Sequence, residues 1–190
     1  MAQAKTLNSA EIRRVLDYIA TRKHAKRNRA MLLLTHLSGM RVGEIASLKW
    51  FDVVNAEGQI RDEIRLSADQ TKRRHPRTVD VSAKLRKELQ LYLAAIKPRE
   101  GDWAFFYTQK NPRRGFTPNT LAQYFFNMYR GAGIDGASSH SGRRSFGTQL
   151  SSKGTSIRVL MRLMGHQNIS TTIGYVDASD DMLRKAVELA

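Results

Sequence analysis

Three short segments of the sequence combine arginine, glycine and hydroxyl side chains in a way that suits phosphate chemistry. They read SGMRVGEIASL around Arg41, HSGRRSFGT around Arg143, and LMGHQNISTTIGY, which ends at Tyr175. Arginine presents a planar fork of donors that matches two phosphate oxygens. Two such forks, one from Arg41 and one from Arg143 or Arg144, are expected to hold a phosphate diester and stabilise a pentacoordinate transition state.

Taken one at a time, the same residues have ordinary structural interpretations. Arg41 could bridge two helices, His140 could cap the helix it begins, His166 could bond a backbone carbonyl, and Tyr175 could be a half-buried aromatic. The order in which they occur together is what favours a phosphate site.

Other catalytic centres have less support in the sequence. There are five histidines and no cysteine, and no two histidines have the HxxxH spacing of helix-borne zinc ligands. Asp180 and Asp181 are better explained as the acidic first turn of a helix than as magnesium ligands. Neither a GxSxG elbow nor a P-loop occurs. We therefore expect no metal and no cofactor.

The charge balance predicts a polyanionic partner. Thirty-two Lys and Arg against seventeen Asp and Glu leave a net charge of +15, and nucleic acid is the usual partner of such a domain. The excess is concentrated in RKHAKRNR, KRRHPR and KNPRR, which we place in loops or at element ends. The candidate DNA contacts are Arg22, Lys23, Lys26, Arg27, Arg29, Arg73, Arg74, Arg77, Arg113, Arg114 and Arg144.

Hydrophobic periodicity predicts a mainly α-helical protein with one small antiparallel β-sheet, an α+β class. A capped helix starts at Asn8, a second runs through AMLLLTHL to Ser38-Gly39, and a short third follows Arg41. The alternating segments QIRDEIRL and RTVDV predict two or three strands, with Lys72 near their turn.

Helical periodicity returns after Ser82 and after Thr117-Pro118. Serines 138 and 139 are expected to cap the helix that follows them, and Gly165 to end the next one. Ser170 is expected to cap a helix that holds Tyr175. A final helix, DDMLRKAVELA, has one apolar side that either packs on its own core or docks on a neighbouring molecule.

Length and composition predict one domain, residues 1–190, with no membrane span and no secretion signal, and hence a cytoplasmic protein. The three segments together resemble the tyrosine recombinase (phage integrase) family in its Arg box, sheet lysine, His-x-x-Arg box and LGH...TT..Y ending. That resemblance implies a recombinase catalytic core. The catalytic residues it implies are Arg41, Lys72, His140, Arg143, His166 and Tyr175.

The resemblance also implies their roles. Tyr175 attacks the scissile phosphate to give a 3′-phosphotyrosyl link, His140 is the base we favour, and Lys72 protonates the 5′ leaving oxygen. His166 hydrogen-bonds a nonbridging oxygen, and Glu44 supports the first arginine. A tyrosine has an ordinary pKa of about 10, so attack at neutral pH needs such help.

The sequence departs from the family pattern in three respects. Gly142 stands where a larger apolar residue is commoner. Asp177 lies two residues past Tyr175, where it could repel phosphate or form a contact between protomers. The first helix already reads as the start of the catalytic domain, so we expect no N-terminal core-binding domain. The chain is therefore either a fragment or similar to short recombinases such as those that invert fimbrial promoter segments.

The function implied is site-specific recombination of double-stranded DNA by integration, excision or inversion. We expect a tetramer on two duplexes near the nucleoid, aided by accessory DNA-bending proteins, with the last helix exchanged between protomers. The alternatives are DNA relaxation like that of a type IB topoisomerase, and a DNA-binding regulator of the same fold that has lost catalysis.

Overall fold

The computed structural model describes residues 4–72, 74–108, 111, 113–175 and 187–188. These residues form short and medium helices and one two-stranded sheet, which confirms the predicted α+β class. The α-helices are α1 Ser9–Ala20, α2 Ala25–Ser38, α3 Val42–Ala46, α4 Trp50–Val53, α5 Ala83–Leu93, α6 Pro118–Gly131, α7 Ser141–Ser152, α8 Ile157–Met164 and α9 Ile169–Ile173, and the strands are β1 Glu63–Leu66 and β2 Arg77–Asp80. Within the part of the chain that is described, none of the helices is long and apolar enough to cross a membrane.

The first helix starts as its sequence predicts. The Asn8 side chain accepts a hydrogen bond from the Glu11 backbone, and the Glu11 carboxylate accepts one from the Asn8 backbone. This reciprocal capping box satisfies two donors that a helix start leaves without intrahelical partners. Val15 and Ile19 then lie buried on the core side.

Helix α2 is the centre of the molecule and packs against both α5 and α7. Residues 30–35 are all buried, and the helix ends at Gly39, whose φ of 65° is one that glycine adopts without strain. It begins at Ala25, earlier than predicted, after His24 in a left-handed conformation. The basic segment 22–29 therefore lies mostly inside a helix rather than in a loop.

The sheet is a hairpin whose register pairs Glu63 with Asp80 and Ile64 with Val79. Along β1 exposed and buried residues alternate, so Ile64 and Leu66 reach the core while the charged residues face outward. The connection between the strands includes a short 3-10 turn, Ala68–Gln70, and carries Lys72.

The caps of α5 and α6 are as predicted. The Ser82 hydroxyl accepts a hydrogen bond from Leu85, the Thr117 hydroxyl accepts one from Thr120, and Pro118 occupies the first turn of α6. The helix α7 differs, because His140 rather than a serine stands at its N-cap position and makes no capping hydrogen bond with its side chain. Ser138 instead forms a turn with Ser141 just before the helix.

Gly142 explains how α7 approaches α2 so closely. A Cβ atom at this position would lie 2.6 Å from Cβ of Thr35 and 3.0 Å from the His36 ring. Real side chains do not pack at such distances, so a residue with a side chain would push the two helices apart. The unusual glycine of the HSGRR segment is therefore matched to a close helix crossing.

The expected role of Ser170 is wrong. Helix α9 begins at Ile169, with Asn168 at the N-cap position, so Ser170 lies inside the helix rather than capping it. Tyr175 follows Gly174, the residue that ends α9, and so lies just beyond the helix. The predicted final helix and Asp177 fall almost entirely outside the described residues.

Candidate active site

Arg41 lies at the junction where α2 ends and α3 begins. Its Nη1 donates to Oε1 of Glu44 over 2.9 Å, and its backbone N–H donates to Oε2 of the same carboxylate over 2.8 Å. Glu44 is only 1% exposed. A buried carboxylate needs such partners, and its two bonds fix both the backbone and the guanidinium of Arg41.

Arg143 is held from the opposite side, on the first turn of α7, and is 3% exposed. Its guanidinium donates to the carbonyl oxygens of Gly39 and Met164. Burial, followed by the nearby charges of Arg41 and Arg77, lowers the pKa of Arg143 to about 10. The group therefore stays cationic at neutral pH.

The C-terminal end of α8 binds three arginines at once. The carbonyl oxygens of residues 163, 164 and 165 accept hydrogen bonds from Arg77, Arg143 and Arg41 respectively. The last carbonyls of a helix have no intrahelical partner and carry partial negative charge. This helix end therefore gathers three cations into one cluster, where Glu44 is the only full negative charge among the residues that the structure describes.

His166 follows this helix end and is itself buried. Gly165 has a φ of 59°, which turns the chain so that His166 enters the cluster. Nη2 of Arg143 lies 2.8 Å from Nε2 of His166, and Nδ1 of His166 lies 2.9 Å from Oγ1 of Thr172. A guanidinium only donates, so Nε2 is the acceptor and the imidazole carries its proton on Nδ1.

Lys72 lies on the exposed hairpin loop that forms the other wall of a cleft of about 210 Å³. The loop is closed by a hydrogen bond of 2.9 Å from the Thr71 hydroxyl to the His75 carbonyl. The residues lining the cleft are Arg41, Thr71, Lys72, His75, Pro76, Arg77, Gly165, His166 and Gln167. The predicted hairpin lysine and Arg box therefore border one opening.

His140 lies at the surface next to the same cluster. Partial burial of its imidazole lowers its pKa, and the charges of Arg143, Lys72 and Arg41 lower it further. A lowered pKa favours the neutral ring at pH 7, and a neutral ring is able to accept a proton.

Tyr175 packs beside α7. A Cβ atom at Gly147 would lie 2.7 Å from Cδ1 of Tyr175, so the absence of a side chain at Gly147 makes room for the ring. The rings of Tyr175 and His166 are 5.6 Å apart, and the Arg144 guanidinium lies 5.9 Å from the Tyr175 ring. The aromatic hydroxyl residue is thus a neighbour of the arginine and histidine cluster.

The candidate DNA contacts differ in their exposure. The exposed ones are Arg22, Lys23, Lys26, Arg74, Arg113 and Arg114. Arg144 is half-buried beside Tyr175, and Arg29 is paired with Glu88 at 2.6 Å. Arg73 lies outside the described residues.

Arg27 requires a correction, because it is only 7% exposed. Its guanidinium donates to the Tyr107 carbonyl over 2.9 Å and lies 5.0 Å from the Phe116 ring. In this conformation it cannot reach a phosphate. Arg77 is also largely enclosed, within the site itself, with its side chain 11% exposed. Thr172, the second threonine of the TT..Y ending, joins the site through His166, although no role was predicted for it.

Comparison with known proteins identifies the relatives of this chain. The model of the phage integrase family matches residues 5–182. Curated relatives include the tyrosine recombinase XerA of Pyrococcus furiosus, 28% identical over 98% of this chain, and transposase A of transposon Tn554 of Staphylococcus aureus, 26% identical over 96% of the chain. The chain spans 62% of the length of that XerA and 51% of that transposase.

Solved structures show the same fold. A crystal structure of XerA recombinase superimposes with a TM-score of 0.74 at 24% identity, over all of this chain and 64% of that one. The Tn1549 transposon integrase in complex with transposon right end DNA gives a TM-score of 0.76 at 19% identity, over 99% of this chain and 66% of that one.

Proposed function

The chain belongs to the phage integrase family, and on that premise we propose that it is a site-specific recombinase that breaks and rejoins DNA through a 3′-phosphotyrosyl intermediate. The proposal treats residues 1–190 as one catalytic domain. It assigns catalysis to Arg41, Lys72, His140, Arg143, His166 and Tyr175, with Glu44 in support.

The observation that carries the proposal is the charge of the buried cluster. Among the residues that the structure describes, three guanidinium groups, from Arg41, Arg77 and Arg143, lie near one carboxylate, that of Glu44. A phosphate diester carries one negative charge and gains a second as a nucleophile adds to it. A preorganised excess of positive charge in a partly dry site stabilises that gain, so the site is suited to phosphoryl transfer.

The proposed reaction begins at the Tyr175 hydroxyl. Oη of Tyr175 attacks phosphorus as its proton passes to His140, and the bond to the 5′ oxygen breaks as Lys72 protonates that oxygen. His166 hydrogen-bonds a nonbridging oxygen, which requires Nε2 to carry a proton and to leave its contact with Arg143. Attack by a 5′-hydroxyl of another strand reverses the sequence and restores Tyr175.

The partner in this proposal is double-stranded DNA. Related proteins, the Tn1549 integrase and XerH, have been solved in complex with DNA, and the net charge of +15 suits a polyanion. Four copies assemble on two duplexes with the last helix exchanged between them, and accessory proteins bend the DNA. The reaction takes place in the cytoplasm, at the nucleoid.

The experiment is a trap for the covalent intermediate. The full chain is incubated with a library of random-sequence nicked duplexes. In these, the short fragment that carries the freed 5′-hydroxyl diffuses away after cleavage. Adducts that survive detergent are collected, the DNA is sequenced, and the linked peptide is identified by mass spectrometry. We expect a nucleotide on Tyr175 and an enriched DNA sequence.

Two variants sharpen this test. Tyr175→Phe should form no adduct while retaining DNA binding, and Arg143→Ala should lose cleavage with only a modest loss of affinity, because many other cations contribute to binding. An adduct that persists in Tyr175→Phe, or a wild-type chain that binds duplexes without forming one, contradicts the proposed mechanism. Relaxation of supercoiled DNA lacking the enriched sequence would indicate a topoisomerase instead.

A further inference from the structure

Arg77 begins β2, a few residues after the lysine on the hairpin loop. We propose that Arg77 is a positioning residue, which locks the hairpin carrying Lys72 onto the phosphate-binding arginines. This inference rests on the proposed function for its catalytic consequence. Its structural part, the anchoring of the hairpin, is testable without DNA.

The contacts of Arg77 join three separate parts of the chain. Its Nη2 lies 3.2 Å from Oε2 of Glu44, and its Nη1 donates to the Leu163 carbonyl over 3.3 Å. Its side chain also crosses the turn at Gly165, where an added Cβ atom would lie 2.7 Å from Cδ of Arg77. One guanidinium thus ties the hairpin to the Arg41–Glu44 pair and to the helix end that presents His166.

Burial argues against a direct phosphate contact. The Arg77 side chain is 11% exposed. Its Nε and Nη2 atoms are buried, and neither makes a hydrogen bond of good geometry with any residue that the structure describes. Although Arg77 lines the cleft, these donors face the protein. A phosphate could reach these donors only if the Arg77 side chain left Glu44. The buried carboxylate of Glu44 would then lose one of its two guanidinium partners and keep Arg41.

The energetics favour a fixed cation at this place. Burial lowers the pKa of Arg77, the charge of Glu44 acts against that change, and Arg41 adds to it. A buried ion pair loses much more when one partner is removed than it contributes as a pair. Arg77 is therefore costly to displace, which is what an anchor for the hairpin requires.

The loop needs such an anchor because the described residues of the loop make few contacts of their own. The Arg74 N–H donates to the Thr71 carbonyl over 3.2 Å, and the Thr71 hydroxyl donates to the His75 carbonyl. Lys72 is exposed between these two bonds. The direction in which the lysine leaves the loop therefore depends on how firmly the base of the loop is held.

Hydrogen exchange of the DNA-free protein tests the anchoring. Arg77→Gln should raise exchange of the amides of residues 71–75 at least several-fold relative to wild type. Arg65→Gln is the matched control, since Arg65 lies on the paired strand with its side chain 83% exposed, and it should leave those amides unchanged. Equal exchange in wild type and Arg77→Gln overturns the proposal. Arg77→Lys, which retains the charge, replaces Arg77→Gln if the latter does not fold.

Single-turnover cleavage tests the catalytic consequence, on a duplex identified by the trapping experiment. Misplacement by about 1 Å costs roughly 10²-fold in rate, so we expect Arg77→Gln to lower the rate constant about that much with a normal reaction amplitude. A substrate with sulfur in place of the 5′ leaving oxygen needs no protonation. It should rescue Arg77→Gln and Lys72→Ala alike, and it should leave Arg143→Ala impaired.

The results separate the two proposals. If wild type forms no adduct, the proposed function fails, and the exchange data still decide whether Arg77 anchors the hairpin. If wild type cleaves and the sulfur substrate does not rescue Arg77→Gln, Arg77 does not act through Lys72. A reduced amplitude at an unchanged rate constant indicates misfolding only and also rejects the positioning role.

Discussion

Arg143 and His166 form a hydrogen bond of 2.8 Å inside the protein, with the arginine as donor. The bond sets the tautomer of the imidazole, because Nε2 must present a lone pair to the guanidinium. The proton on Nδ1 then faces the Thr172 hydroxyl at 2.9 Å. Before DNA binds, the site thus holds its histidine as a neutral acceptor rather than as a donor.

We predict that His166 in the DNA-free protein is the neutral Nδ1–H tautomer at pH 7.5. Long-range nitrogen–proton NMR spectra distinguish the two ring nitrogens by their chemical shifts. Thr172→Val, which removes the hydroxyl with little change of volume, should weaken the preference, whereas Thr171→Val changes an exposed neighbour on the same helix and should not. A protonated Nε2 in wild type would contradict this arrangement.

We predict that Gly142→Ala destabilises the protein by about 1–3 kcal/mol, the usual cost of overpacking a core. The new methyl group would meet Thr35 on α2 and force α7 outward. At this chain length, 1 kcal/mol lowers Tm by about 2–4 °C, which differential scanning calorimetry measures. Gly43→Ala is the control, because its Cβ would approach Pro118 no closer than 3.9 Å. Equal Tm values for the two variants would reject the close crossing.

Local signals account for what the sequence predicted well. The caps at Asn8 and Thr117, the end of α2 at Gly39 and the alternation in β1 all depend on a few neighbouring residues. The start of α2 was missed because His24 supplies no capping side chain. Without a capping residue to mark the start of the helix, the sequence pattern predicts a loop for the basic residues 22–29.

The catalytic residues were predicted from a family resemblance, whereas the contacts that hold them in place were not. The bond from Arg77 to Leu163 and the contact of Gly142 with Thr35 join residues that are distant in the sequence. No periodicity or local motif encodes such contacts. They follow from the packing of β2 against α8 and of α7 against α2.

We predict that His36 makes stability depend on pH in the acid range. Burial lowers its pKa to about 4, whereas the unfolded chain titrates near 6.5. Between these values the unfolded state binds more protons, so the free energy of unfolding falls as the pH drops from about 6.5 to 4. The full difference is about 3 kcal/mol.

Thermal unfolding at pH 7.5 and pH 5 checks this linkage. His36→Gln retains a polar partner for the Tyr129 hydroxyl, which lies 3.2 Å from the imidazole, and it should have a smaller loss of Tm on acidification than wild type. His75→Gln changes an exposed histidine and should behave like wild type. The same acid loss in all three proteins would show that His36 is not the group responsible.

Arg27 and Arg144 should differ in how they affect DNA binding, although both belong to the basic excess. Arg27→Met removes a buried donor to the Tyr107 carbonyl and leaves that acceptor unpaired, so it should cost about 1–3 kcal/mol of stability. It should leave the salt dependence of DNA binding unchanged. Arg144→Gln should lower the slope of log affinity against log salt by about one, the value for one phosphate contact. Titrations of a fixed duplex at several salt concentrations measure both slopes. A reduced slope for Arg27→Met would show that Arg27 does contact DNA.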